Sequence, residues 1–143
     1  MEAPLFGAQR VSLHPLHAIF LAFPPPLFLG AWLSDLAYGA TFQVQWVNFS
    51  SWLIAFGLLV GAFALLWALI GILGRGMART GRPLIYLLAL VAMWVLGLVN
   101  AFVHGKDAYA AMPEGLYLSA IVAILAFVAA WTGYSGFAVG RVK

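Results

Sequence analysis

The side chains of this sequence that can do chemistry fall into two groups. His14 and His17, in His14-Pro15-Leu16-His17, stand three residues apart, which puts both rings on neighbouring parts of one helix face. Two imidazoles so placed suit a metal, one axial position of a haem, or proton transfer; they also suit interfacial rings bonded only to water and headgroups. The second group is Asn100 and His104, one helical turn apart and in line with Met93 and Gly97, with Asp107 close behind. Asp35 closes an earlier apolar stretch at corresponding depth, and Asn48 opens the next one. Ionisable groups in apolar surroundings are costly unless paired, so His104 with Asp35 or Asp107 is expected to form one polar site. That site is either a proton-accepting or quinone-bonding element or a hydrogen-bonded clamp between helices.

The elements that position these groups follow from how few other polar residues there are. Of 143 residues, 65% are hydrophobic and 8% charged, where a soluble domain carries about 25% charged residues. A soluble enzyme is excluded, and a membrane protein is the class that remains. The chain has no cysteine, which removes disulfides, thiolate nucleophiles, cysteine-ligated metals and covalently attached haem. Its net charge of +3 is dispersed around apolar runs, a pattern that does not suit nucleic acid. No phosphate loop, paired carboxylates or Ser–His–Asp set at a common depth is legible, so the chain is not expected to be catalytic alone.

Four apolar stretches, at about 15–38, 50–73, 83–104 and 114–137, reach the roughly 20 residues that a helix needs to cross a bilayer. They predict an all-α, integral-membrane four-helix bundle forming a single domain over residues 1–143. Arg10, Arg75, Arg79, Arg82, Arg141 and Lys143 flank one end of the spans, whereas Lys106, Asp35, Asp107 and Glu114 lie toward the other. By the positive-inside tendency both termini are expected in the cytoplasm. Trp32, Tyr38, Trp46 and Trp52 would mark the outer interface, and Tyr86, Trp131 and Tyr134 the inner one. A cleaved signal peptide suits the first stretch poorly, since it is long, starts late and contains consecutive prolines.

Local signals refine this picture. Pro15 and Pro83 suit first helical turns, and Ser50 or Ser51 suits a helix cap. Pro24, Pro25 and Pro26 deprive the carbonyls of Phe20, Leu21 and Ala22 of helical partners, so the first helix is expected to be broken or sharply kinked there. Gly57 and Gly61 make a small-residue face, expected to pack within the chain more than between chains, although a homo-oligomer stays open. The histidines restrict haem. His14 and His17 belong to one face of the membrane and His104 to the other, so a b-type haem requires ligands shared between protomers or supplied by a partner. No metal site is expected.

The segment His14-Pro15-Leu16-His17, the pair Ser34-Asp35, and the stretch from Asn100 through His104, Lys106, Asp107 and Tyr109 to Ser119 resemble a small four-helix membrane family, the domain of unknown function 2231. The resemblance covers nearly the whole chain. Many members carry a further histidine before the third helix and a histidine-bearing end to the fourth; here these places read Gly81-Arg82-Pro83 and Tyr134-Ser135-Gly136. Relatives stand near, or are joined to, periplasmic quinoprotein sugar dehydrogenase-like domains. The resemblance therefore implies a multi-pass protein of the bacterial inner membrane, acting as accessory or anchor subunit of a dehydrogenase or respiratory complex and assisting electron delivery to quinone. Trp46, Tyr109 and the connections 39–49 and 105–113 would face the partner. The alternatives are a purely structural subunit that stabilises a larger complex, and a small transporter or proton channel built around the broken helix.

Overall fold

The computed structural model describes residues 13–75 and 81–135. They form α1 (Pro15–Ala22), α2 (Pro24–Thr41), α3 (Val44–Arg75), α4 (Arg82–His104) and α5 (Glu114–Ser135), with a 3₁₀ turn at Ala108–Ala111. α1 and α2 run on as one span, giving four segments long and apolar enough to cross a membrane. The protein is the all-helical membrane bundle that its composition demands. Arg10, Arg79, Arg141, Lys143 and the expected end of the last span at 137 lie outside the described residues, as do the side chains of Arg75, Arg82 and Tyr109.

Packing follows chain order around a ring. α2 lies against α3 and α5, α4 lies against the same two, and α1 continues the first span between α3 and α5. Residue size decides which faces turn inward. Along α3 the buried stripe is Ser50, Ile54, Gly57, Gly61, Ala64 and Ala68, whereas Trp52, Phe56, Leu59, Phe63, Leu66 and Ile70 are exposed. Small residues let helices approach closely, and bulky apolar ones meet lipid at no cost. Gly57 and Gly61 serve the chain's own core: a Cβ on Gly57 would lie 2.8 Å from the Phe28 ring, and one on Gly61 3.0 Å from Met93.

The first span is interrupted at the prolines, but more gently than three of them suggest. Pro24, Pro25 and Pro26 form the first turn of α2, where missing N–H groups have no intrahelical acceptor to lose. Phe23 keeps right-handed helical angles (φ −78°, ψ −41°) against the usual preference before proline, and the Leu27 N–H donates to its carbonyl at 3.2 Å. The two pieces therefore join with only a slight bend.

The α2–α3 connection is shorter than the hydropathy suggests. α2 runs to Thr41 and α3 begins at Val44, leaving Phe42 and Gln43 between them. Phe42 takes the left-handed conformation (φ 55°), and its N–H closes the helix on the Tyr38 carbonyl at 2.7 Å. Gln43, Gln45 and Asn48 dilute the apolar signal, yet all three are exposed and cost a helix start nothing. Ser50 and Ser51 consequently sit inside α3 rather than capping it; Ser51 donates to the Val47 carbonyl at 2.8 Å.

Candidate functional site

One polar side chain or more from each span converges near one end of the bundle. Asp35 comes from α2, Ser50 from α3, Asn100 and His104 from α4, and Ser119 from α5; all five are buried. His104 Nε2 lies 3.0 Å from Asp35 Oδ1 and 3.3 Å from Ser50 Oγ. Its Nδ1 donates to the Asn100 carbonyl one turn earlier, at 3.0 Å. The Ser119 hydroxyl donates to Asp35 Oδ2 at 2.5 Å and accepts from Asn100 Nδ2 at 2.9 Å. Ser50 donates to the Ala31 carbonyl at 3.2 Å. Asn100 Oδ1 is buried with no partner among the described residues.

The backbone makes room for this arrangement at Gly115. A Cβ there would lie 2.8 Å from His104 Cε1, so the absence of a side chain on α5 is what lets the imidazole reach Asp35. Asp35 is the hub, with its two oxygens taken by α4 and α5, while Ser50 ties α3 to both α2 and His104.

His104, Asn100 and Asp35 thus come together as their types and depth suggest. Asp107 does not join them: it is exposed, and its carbonyl caps the 3₁₀ turn by accepting from the Ala110 and Ala111 N–H groups. Asn48 is exposed as well. The sequence reading overlooks Ser50 and Ser119 as members of the cluster. A hydroxyl deep within an apolar helix is itself a signal, because it needs a partner there.

The second group lies at the opposite end. From His17 to Asp35 the first span rises about 27 Å at 1.5 Å per residue, so no single haem engages both groups. His17 is buried; its Nε2 meets the Tyr86 hydroxyl at 2.8 Å, and its Nδ1 has no partner among the described residues. His14 is exposed, and its Nδ1 accepts from the Leu16 N–H at 3.3 Å, capping α1. Trp67 lies beside both rings, with centroids at 4.8 Å from His14 and 5.8 Å from His17. Tyr86 turns inward to this group instead of marking an interface, whereas Trp131 and Tyr134 are exposed, and the Tyr134 hydroxyl donates to the Ala18 carbonyl at 2.7 Å. A surface hollow on α5, lined by Phe127, Ala130, Trp131, Tyr134 and Ser135, touches neither histidine group's buried members.

Four apolar spans locked by an interhelical polar cluster define a multi-pass membrane bundle. The family model described as Predicted membrane protein (DUF2231) matches residues 13–142, and the chain belongs to that family. No curated protein and no solved structure matches the chain.

Proposed function

We propose that the chain is an accessory anchor subunit of a membrane-bound redox complex, a dehydrogenase or respiratory assembly, seated where electrons pass to quinone. The observation that carries this reading is the closure of the Asp35–His104 cluster. Apart from Asn100 Oδ1, its polar atoms are spent on one another and on backbone carbonyls across the four spans, and the surface hollow lies elsewhere. A chain built this way acts through its outer surfaces rather than through a pocket. The redox element draws on relatives found beside quinoprotein sugar dehydrogenase-like domains, an analogy of context.

In this reading the protein lies in a bacterial inner membrane with both termini in the cytoplasm, as the arginine-flanked end favours. The periplasmic partner then meets the tip of the α2–α3 hairpin and the α4–α5 connection. Exposed Phe42 and Trp46 supply apolar anchors there, and exposed Asp107 and Glu114 supply charge. Aromatic anchors framed by polar residues are common in protein interfaces. Quinone would pass along this outer face, because entry at His104 has to displace its bond to Asp35.

The closed cluster also favours a second reading, a purely structural subunit without influence on electron flow. Gentle solubilisation of the native protein, followed by identification of what copurifies, tests the first proposal. The expected result is a larger redox protein, with slower quinone reduction in membranes lacking this chain. Full assembly with normal quinone reduction in its absence refutes the anchor reading, and full assembly loss with unaltered specific activity selects the structural one.

A further inference from the structure

The prolines that leave α2 intact still cost the end of α1 a bond. In a continuous helix the Ala22 carbonyl takes the N–H of residue 26, or in a tighter turn that of residue 25. Both are prolines, and the next donor, the Leu27 N–H, is spent on the Phe23 carbonyl at 3.2 Å. Ala22 and Pro26 are both exposed, so this acceptor opens on the bilayer rather than on the core. Acyl chains and lipid ester carbonyls bring no donor to it, and a bare carbonyl in hydrocarbon is costly.

The complementary donor stands beside it. The Tyr134 hydroxyl reaches the Ala18 carbonyl at 2.7 Å, which sets those two residues at one level where α1 meets α5. Toward the Asp35 end, Ala22 lies one turn further along α1, and Trp131 about one turn further along α5. The Trp94 indole N–H donates to the Leu58 carbonyl at 3.2 Å, whereas that of Trp131 finds no acceptor among the described residues. Trp131 is 78% exposed, so its N–H is open to another molecule. Beside it is the hollow of about 420 Å³ lined by Phe127, Ala130, Trp131, Tyr134 and Ser135, and beside Ala22 the Phe23 ring is half exposed. A donor and a hollow thus adjoin an acceptor and a ring at one depth, as a self-complementary contact about a two-fold axis requires. We infer that this α1–α5 face binds a second copy of the chain. Each Trp131 N–H donates to the other copy's Ala22 carbonyl, and each Phe23 ring enters the other copy's hollow. The contact is independent of any redox partner.

Energy transfer between donor- and acceptor-labelled full chains, diluted stepwise in liposomes, tests the inference. The wild type should associate as dimers. Interhelical hydrogen bonds in membranes are individually modest, and losing two by symmetry raises the dissociation constant about tenfold. Trp131→Phe keeps an aromatic ring but removes the donor, and Pro26→Ala hands the Ala22 carbonyl a donor within its own chain. Each should show that rise, and the double variant no more than either alone, because both remove the same bond. Circular dichroism should show every variant as helical as the wild type, since both positions face lipid. A wild type that stays monomeric at every dilution overturns the inference. So do single variants that dimerise as tightly as the wild type, or a double variant whose losses add.

Discussion

Replacing Gly115 by alanine sets two physical effects against each other with opposite signs. Inside a helix, glycine to alanine gains about 1 kcal/mol from propensity alone. At Gly115, however, the new Cβ lies 2.8 Å from His104 Cε1, 3.3 Å from Nδ1 and 3.4 Å from Nε2. Reaching ordinary contact requires the ring to retreat by about 0.6 Å, which stretches its 3.0 Å bonds beyond hydrogen-bonding range. Losing one hydrogen bond to a charged group costs about 1.5–3 kcal/mol. The net expectation is a destabilisation of about 0.5–2 kcal/mol. Gly39→Ala is the matched reference, since a Cβ there meets nothing within 4 Å and keeps only the propensity gain. Reversible unfolding in mixed micelles, followed by circular dichroism, should place Gly115→Ala below wild type and Gly39→Ala at or above it. If the two variants prove equally stable, the packing of His104 over Gly115 does not hold its ring in place, and the reasoning fails.

Other substitutions probe the same bonds. Asp35→Asn should cost about 1–3 kcal/mol by leaving a partner in the cluster unsatisfied, and adding His104→Gln should recover part of the loss; strictly additive effects in a double-mutant cycle would count against the pair. Tyr86→Phe removes the one bond that the His17 ring makes among the described residues, and should lower stability by about 1–3 kcal/mol with no change at the Asp35 cluster, as site-resolved hydrogen exchange can show. Alanine at Pro24, Pro25 and Pro26 together restores donors to the carbonyls of Phe20, Leu21 and Ala22. The bundle should stay folded, and on the proposed anchor reading the redox complex should keep full activity; an intact bundle with that activity lost would give the interruption a role of its own.

How far the sequence foretells the structure depends on the length scale of the signal. Apolar runs longer than the bilayer is thick force four spans, and the cost of an unpaired charge in lipid forces Asp35 to find His104. What stays hidden is local. Hydropathy averages over many residues, so the polar start of α3 at Gln45 and Asn48 hides a helix that begins at Val44. Ser50 reads as a cap for the same reason, although it belongs to the cluster. Ser119 ends the stretch that carries the family resemblance, yet it is not read as a partner of Asp35, because one hydroxyl barely changes an apolar run and its role depends on which helix α5 faces. Asp107 has the right type and nearly the right position, but it lies beyond the end of α4, where solvent satisfies it. The prolines mislead by their number: stacked at a helix start they remove donors that the first turn never uses.

The length of α3 bears on where this protein can reside. Its 32 residues extend about 47 Å, while α4 and α5, with 23 and 22, extend about 33 Å, close to a hydrocarbon core of about 30 Å. No charged residue occurs between Asp35 and Arg75, so the depth of α3 is held only near its ends, by Gln45, Trp46, Asn48 and Trp52 at one and by Arg75 at the other. The two short helices set the register with the bilayer, and the long one carries spare apolar length through the headgroup region. Hydrophobic mismatch is thereby cheap in one direction. A thicker membrane finds α3 already long enough and strains only α4 and α5, whose ends can be met by local thinning at a fraction of a kcal/mol per ångström.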